Sequence, residues 1–380
     1  MRRMDTRLIF YISMIVATAC GCSYNPDETQ TIRIDEAISS DNTMLEKFIT
    51  IDALIPIKDK NVILSSYDKV LIKDSLIYIK DKERIVVINE DGMLYSEINR
   101  IGMGPGEYSK ITDFNIDSQG NIVLFCSNTQ KLLFYSPKGE FIYDQKVCSG
   151  TGFHLLQNGN IAIYRNLYSD TIVSVYNNSN SLHSYTEIKK RPNILLKNGG
   201  EITEYNDTLY FINPLDYNIY KCKGTDYFPF LHFNFGDKNI SADIQSEQDL
   251  RKIMKVIREN KKIFYFECLN IRKDFVFLRL SNGMFISYDS NENKTYVFNK
   301  LRYPYNSLLS APIYTTDNGR FAGFVSVNNI QNSLCPIFDL KMYDYPFLET
   351  LQYSIVESYM ENDWIVIGHF NDSIKSLAKP

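Results

Sequence analysis

The chain has 380 residues, enough for two or three ordinary domains or one large all-β domain, and its 44% hydrophobic content is that of a folded protein. Lys and Arg number 41 against 45 Asp and Glu, a net charge of −4 without a basic block; this argues against nucleic acid, which needs a concentrated positive footprint. Aromatics reach 13%, as 27 Tyr and 23 Phe beside one Trp, and such residues suit pleated, half-buried strands better than helices.

The first 22 residues read as an export signal. Arg2, Arg3 and Arg7 form a positive start, and the apolar run Leu8–Ala19 is too short to span a bilayer but suits a signal peptide. It ends in VATACGCS, which resembles the lipobox of bacterial lipoproteins, where a cysteine thiol takes a diacylglycerol and becomes the mature N-terminus. Cys20 follows Ala17-Thr18-Ala19 and Cys22 follows Ala19-Cys20-Gly21; Cys20 is the preferred attachment site, and a plain cleavable signal is the alternative. Acylation would tether the protein to a membrane outside the cytoplasm. Residues 23–47 read as a spacer, and the folded domain as 48–380.

From there the chain repeats itself. After a lone strand-like stretch, FITIDALIPI (48–57), short apolar strands recur, each launched from a polar turn: KDSLIYIKD, SQGNIVLFCS, QNGNIAIYRN, YNDTLYFINP, RKDFVFLRLS and DNGRFAGFVS. Their anchors Leu76, Ile122, Ile161, Leu209, Val276 and Phe321 are separated by 46, 39, 48, 67 and 45 residues. Four of the five intervals match the roughly 40–50 residues of one four-stranded propeller blade. A second strand and a hairpin turn follow each launch, with Asp91-Gly92 and Lys138-Gly139 supplying the positive φ of tight turns. Six launches imply six blades.

The long interval contains SADIQSEQDLRKIMKVIREN (241–260). Leu250, Ile253, Met254 and Ile257 have helical spacing, and Ser246 with Asp249 resembles a capping box. A helix laid over a sheet edge or face is expected there, between blades 4 and 5, with a membrane-surface or calmodulin-target helix as the lesser reading. The sixth unit lacks strands in chain order; it is followed by a probable helix near Leu351–Met360 and the strand WIVIGHF (364–370). The economical solution pairs that strand with 48–57, so that the two ends of the chain close the last blade and remove an open edge. The expected fold is therefore all-β: a six-bladed β-propeller of four-stranded antiparallel blades with one helical insertion at 241–262.

The segment RIGMGPGEY (100–108) joins blade 1 to blade 2. It lacks G-x-G-x-x-G spacing, and Pro105 offers no N–H, so a phosphate cradle is disfavoured. It reads as a change of direction from an outer strand to the next inner strand.

With DFNID (113–117), GNIVLF and YSPKGEFIYD close behind, this segment is similar to one in the six-bladed β-propeller lipoproteins of Bacteroidota, whose members are mostly domains of unknown function. The resemblance covers nearly the whole chain and is strongest over 48–147. It implies a propeller with an exported, lipid-anchored location and implies no catalytic residues; the expected location is the outer membrane, on its periplasmic side or the cell surface.

Outer-to-inner connections of a propeller share one face, so the loops at 100–108, 189–200, 241–262 and 299–310 gather there, where binding residues sit on a rigid scaffold. Arg100, Glu107 and Tyr108 are the candidate ligand contacts, although Arg100 and Glu107 also suit the role of satisfying loop backbone. The expected function is a non-catalytic module binding an envelope protein, peptide or glycan, with no cofactor and no metal. The alternative is a channel-centred, metal-dependent hydrolase or lyase, for which Asp113 and Asp117 are candidate ligands. His154, His183, His232 and His369 are scattered, the NEDG stretch lacks the glutamate of a calcium loop, and no nucleophile elbow occurs. Cysteines at 126, 148, 222, 268 and 335 read as buried hydrophobes, with one disulfide left open.

Overall fold

The structure is a computed structural model and describes residues 29–34, 49–165, 171–176, 182–186, 201–213, 215–223, 226–247, 249–282, 284–298, 314–315, 320–325 and 364–371. The export signal with Cys20 and Cys22, the loops at 189–200 and 299–310, and the expected helix near 351–360 lie outside these residues.

Two strands precede the first complete sheet, β1 (Gln30–Arg33) and β2 (Ile49–Pro56). Blade 1 is β3 (Lys69–Lys73), β4 (Leu76–Asp81), β5 (Arg84–Asn89) and β6 (Leu94–Ile98). Blade 2 is β7 (Asp113–Ile116), β8 (Ile122–Cys126), β9 (Lys131–Tyr135) and β10 (Phe141–Lys146). Blade 3 is β11 (Gly152–Leu155), β12 (Ile161–Tyr164), β13 (Thr171–Tyr176) and β14 (Leu182–Thr186). Blade 4 is β15 (Ile202–Tyr205), β16 (Thr208–Ile212), β17 (Asn218–Lys223) and β18 (Asp226–Asn234). Blade 5 is β19 (Phe266–Ile271), β20 (Phe275–Leu280), β21 (Phe285–Asp289) and β22 (Lys294–Phe298). Blade 6 is β23 (Tyr314–Thr315), β24 (Arg320–Val325), β25 (Trp364–Phe370) and, outermost, β2.

The inner strands adjoin in the order β3, β7, β11, β15, β19, β23 and back to β3, so the six sheets close a ring. Middle strands are buried on both faces because each blade is sandwiched between two others: every residue of β8, β12 and β21 is buried. The outer strand β10 is largely exposed. Separate apolar clusters fill the gaps between neighbouring blades, such as Tyr78, Val87, Phe114 and Leu124 between blades 1 and 2.

The ends of the chain share blade 6. Ile49 pairs with Phe370 and Pro56 with Trp364, with a bulge between Ile51 and Ala53. In the bulge Asp52 projects toward His369, whose Nδ1 lies 2.9 and 3.0 Å from its two oxygens. Thr50 Oγ1 donates to Asn371 Oδ1 at 2.9 Å.

The outer strand of each of two blades, or the residues just after it, abuts the turn that precedes the outer strand of the next blade. Lys58 N–H donates to Gly92 O at 2.9 Å, and Ser96 Oγ donates to Pro137 O at 2.6 Å. Gly92 has φ +85°, and a Cβ there would lie 1.9 Å from Pro56 O, so the turn needs glycine for both conformation and clearance.

Three details differ from the sequence reading. Residues 23–47 contain a strand: β1 pairs in parallel with β18, adding a fifth strand to blade 4, and Ile32 and Ile34 are buried between blades 4 and 5. The insertion between those blades holds a 3₁₀ turn (Gly236–Lys238) and two helices, α1 (Ala242–Gln245) and α2 (Leu250–Glu259). The cap of α2 is Asp249, which accepts from Arg251 N–H at 2.9 Å; Ser246 instead ends α1, and its hydroxyl donates to Asp243 O. Finally, Ile253 and Ile257 are buried as expected, but Leu250 is 40% exposed.

Candidate binding face

Connections from an outer strand to the next inner strand share a face with the turns between second and third strands. Ile111 N–H donates to Glu83 Oε2 at 2.6 Å, Val147 N–H to Gln130 O at 2.8 Å, and Tyr217 OH donates to Ile263 O at 2.9 Å. Each bond ties a connection to the second-to-third turn of an adjoining blade. The loops at 100–108 and 241–262 therefore lie on the same face.

The 100–108 loop is closed on itself. Tyr108 N–H donates to Arg100 O, Gly102 N–H to Tyr108 O, and Glu107 N–H to Gly104 O, each at 3.0 Å. Glu107 folds its carboxylate back over the glycines and accepts from Gly104 N–H at 2.7 Å. Gly102 leaves no room for a Cβ, which would sit 2.1 Å from Glu107 Oε2. Tyr108 is the pillar under the loop. It is 1% exposed, its hydroxyl donates to Glu83 O at 2.9 Å and accepts from Arg100 N–H at 3.2 Å, and burial pushes the phenol up to about 12. Tyr135 OH donates to Gly106 O at 2.6 Å from below.

The sequence candidates thus separate. Tyr108 lies buried beneath the loop as an interior support, where the sequence reading expected a surface contact. Glu107 is exposed but engaged in holding the loop shape. Arg100 is exposed, with its backbone rather than its guanidinium in the loop network.

Inner strands are stitched across blades by polar side chains. Lys69 Nζ reaches Asp113 Oδ1 at 2.9 Å and Phe114 O at 2.8 Å, while Asp113 Oδ2 accepts from Phe153 N–H at 3.1 Å. Asn115 Nδ2 donates to Phe153 O at 3.0 Å, and Glu204 Oε2 accepts from Gln157 N–H at 2.8 Å. These bonds replace the main-chain pairing that blades cannot make with each other. Asp117 is likewise engaged, accepting from Gln119, Asn121 and the Asn121 side chain at 2.8 Å each to shape its turn. Among the described residues no three His, Cys, Asp or Glu gather as a metal site. His154 is buried, and His232 Nδ1 lies 3.0 Å from Asn218 Oδ1. Cys126, Cys148 and Cys222 are free thiols.

What the sequence reading passed over is apolar. Large hydrophobic side chains exposed among the described residues are Ile63, Met93, Tyr95, Ile101, Met103, Ile142, Tyr143 and Leu250. All but Leu250 belong to blades 1 and 2 or to the loops that lead into them. Met103 is 84% exposed at the tip of the closed loop, Ile101 63%, and Ile63 on the neighbouring loop 72%. Both loops grip one turn, Tyr108 through Glu83 O and Ile63 through its own carbonyl, which accepts from Arg84 Nη2.

A family model described as "Domain of unknown function (DUF4934)" matches residues 29–368. The chain belongs to that family. A search of curated proteins finds no match. Among solved structures, a Bacteroides fragilis protein named for its inferred export is similar at TM-score 0.68 and 16% identity, covering 90% of this chain and 100% of its own. A member of the DUF4221 family from Bacteroides vulgatus follows at 0.51 and 10%, covering 85% and 97%. At these identities the likeness shows the fold alone. A virginiamycin B lyase from Staphylococcus aureus, at 0.45 and 14% over 71% and 81%, is too distant to carry an argument. Family membership over residues 29–368 includes β1, so the added strand lies within the family's extent.

The exposed apolar residues had one legible sign in the sequence. Ile101 and Met103 sit in a glycine-rich loop where no strand or helix needs them. Residues of that kind, left without a structural duty, are the ones available to a partner.

Proposed function

We propose that the protein is an exported, lipid-anchored propeller that binds a protein or peptide partner, without catalysing a reaction, through the rim and loop face of blades 1 and 2. One observation carries this reading: among the described residues, every exposed large hydrophobic except Leu250 lies on blades 1 and 2 or the loops leading into them, and the loop bearing Ile101 and Met103 is closed by its own hydrogen bonds. A flexible loop would hide Met103; this one presents it. Rigid apolar presentation limits the ordering cost of association. Aliphatic residues at the tip fit a protein surface better than a sugar, which favours aromatic platforms. Export and acylation rest on the N-terminal sequence, with support from the inferred export of the Bacteroides fragilis relative. The outer membrane, on either side, is the proposed location. The enzyme reading would have led with Asp113, whose two oxygens are already engaged by Lys69 and the Phe153 amide.

A photo-crosslinking residue placed at position 103 should trap a partner in intact cells, and the same residue at Lys223, on blade 4, should not. Met103→Glu with Ile101→Ser should reduce partner capture at least about tenfold while leaving the melting temperature unchanged. Equal trapping at both positions, or none at 103, removes the reading.

A further inference from the structure

Blade 4 stands three steps from blade 1 round the ring, and the connection that leaves its outer strand exposes basic residues where the 100–108 connection exposes apolar ones. Two features meet there. The first is α2. Its Ile253 and Ile257 are buried, while Arg251, Lys252, Lys255 and Arg258 on the helix and Lys261 just after it are all exposed. Lys252 reaches Glu247 at 3.3 Å and Lys255 reaches Glu259 at 3.9 Å; Arg251, Arg258 and Lys261 have no ion pair among the described residues. The half-exposed Leu250 lies at the start of the same helix.

The second feature is β1. It lies along β18 with Gln30 opposite Leu231 and Arg33 opposite Asn234, two residues before the 3₁₀ turn that opens the insertion. Gln30 also bonds across to blade 5, donating to Asn293 Oδ1 at 2.7 Å. β1 is therefore fixed to the strand that leads into the basic helix, with Arg33 at the end near the insertion and Gln30 at the far end. Ten residue steps separate Cys20 from Gln30, a reach of at most about 35 Å when extended.

We propose that the insertion between blades 4 and 5 rests on an anionic lipid surface, with the exposed basic residues of α2 against the head groups. The inference rests on the lipid-anchored reading for its tether: acylation at Cys20 or Cys22 would hold this part of the molecule within reach of the bilayer. Because the apolar side of α2 is already covered by blades 4 and 5, the contact is electrostatic. Each basic residue near such a surface strengthens binding about fivefold, and salt screens the effect.

The test uses the full chain purified from membranes and reconstituted into phosphatidylcholine vesicles, with or without one-third phosphatidylglycerol. Lysines are modified with an amine reagent and read individually by mass spectrometry. Lys255 and Lys261 should react at least about fivefold more slowly in the anionic vesicles than in detergent. Lys110 and Lys138, on blades 1 and 2, should be unchanged, and high salt should restore the reactivity of Lys255 and Lys261. The triple variant Arg251→Glu, Arg258→Glu, Lys261→Glu, with its melting temperature retained, should lose the protection of Lys255. Unprotected Lys255 and Lys261 in anionic vesicles overturn the proposal, as does protection in cells that vesicles do not reproduce, which assigns the helix to an acidic protein. The mass of the N-terminus reads the anchor separately. Should it carry no acyl chain, flotation of the same protein with anionic vesicles decides the helix alone: binding on the order of a hundredfold weaker in the triple variant supports it, and equal flotation overturns it.

Discussion

Asp81 shows how much a single side chain does in the connection from blade 6 to blade 1. Its Oδ1 accepts from Ser65 N–H at 3.2 Å, Ser65 Oγ at 2.7 Å and Ser66 N–H at 2.9 Å, and its Oδ2 accepts from Arg84 Nε at 2.9 Å and Nη2 at 2.7 Å. Burial alone would raise this carboxyl, but the bonds from Ser65, Arg84 and Ser66 outweigh it and hold the group below the ordinary range. The unfolded chain therefore takes up the proton first as pH falls. The carboxylate's contribution is complete above about pH 4 and is lost as pH drops through the lower folded value. Asp81→Asn should cost about 2 kcal/mol at neutral pH and flatten the fall in urea midpoint between pH 6 and pH 3. An unchanged acid limb would contradict this. Gly92→Ala should also destabilise, by about 1–3 kcal/mol for the left-handed backbone alone, with the clash at Pro56 O added. Residue roles were the least legible part of the sequence. An aromatic in a glycine-rich loop serves equally as a contact or as a pillar, and only burial, a property of the whole fold, assigns Tyr108 to the second. Met103 carried no polar chemistry to draw notice, yet it is the side chain the loop holds out.

Elements were legible in proportion to their periodicity. α2 announces itself by apolar residues at helical spacing, and the turn glycines mark hairpins because positive φ restricts the choice of residue. β1 has no such mark: QTIR is four residues with no hairpin partner, and its pairing strand lies some two hundred residues further along. Nothing local encodes a parallel addition to an outer edge. The cap of α2 shifted for a related reason, since Ser246 and Asp249 are both good caps and the break after α1 decides between them. β1 is nevertheless bound firmly. Ile32 is 5% exposed within the cluster shared by blades 4 and 5, and Ile32→Ala should cost about 2–4 kcal/mol. Hydrogen exchange should then rise along β18 and around Asn293 while blades 1 and 2 keep their protection. Uniform loss of protection would instead make β1 part of one cooperative unit. Iodoacetamide should meanwhile reach the half-buried Cys148 before Cys126 or Cys222, whose thiols burial pushes up to about 12.

For the molecule as a whole, the number of blades follows from the spacing of the strand launches, because each blade requires a fixed length of chain to cross from the axis to the rim. The shared last blade follows from an unpaired strand at each end. Binding, by contrast, has no period, and the sequence offered only the loop proposed to bear it. Deleting Trp364–Pro380 removes the strand that joins β2 to β24, so the ring loses its closure; the truncated chain should show no cooperative melting transition, and a retained one would refute the closure. The same closure has a kinetic side. Thr50 meets Asn371 across 321 positions, so when the chain emerges N-end first, from a ribosome or through a translocation pore, its first long strand waits unpaired until Trp364–Phe370 is free. Five blades can assemble behind it in the meantime, but the ring stays open, with sticky edges on both sides of the gap. A protein built this way has every reason to depend on a chaperone during its passage, and to become resistant to proteolysis all at once when the final strand arrives.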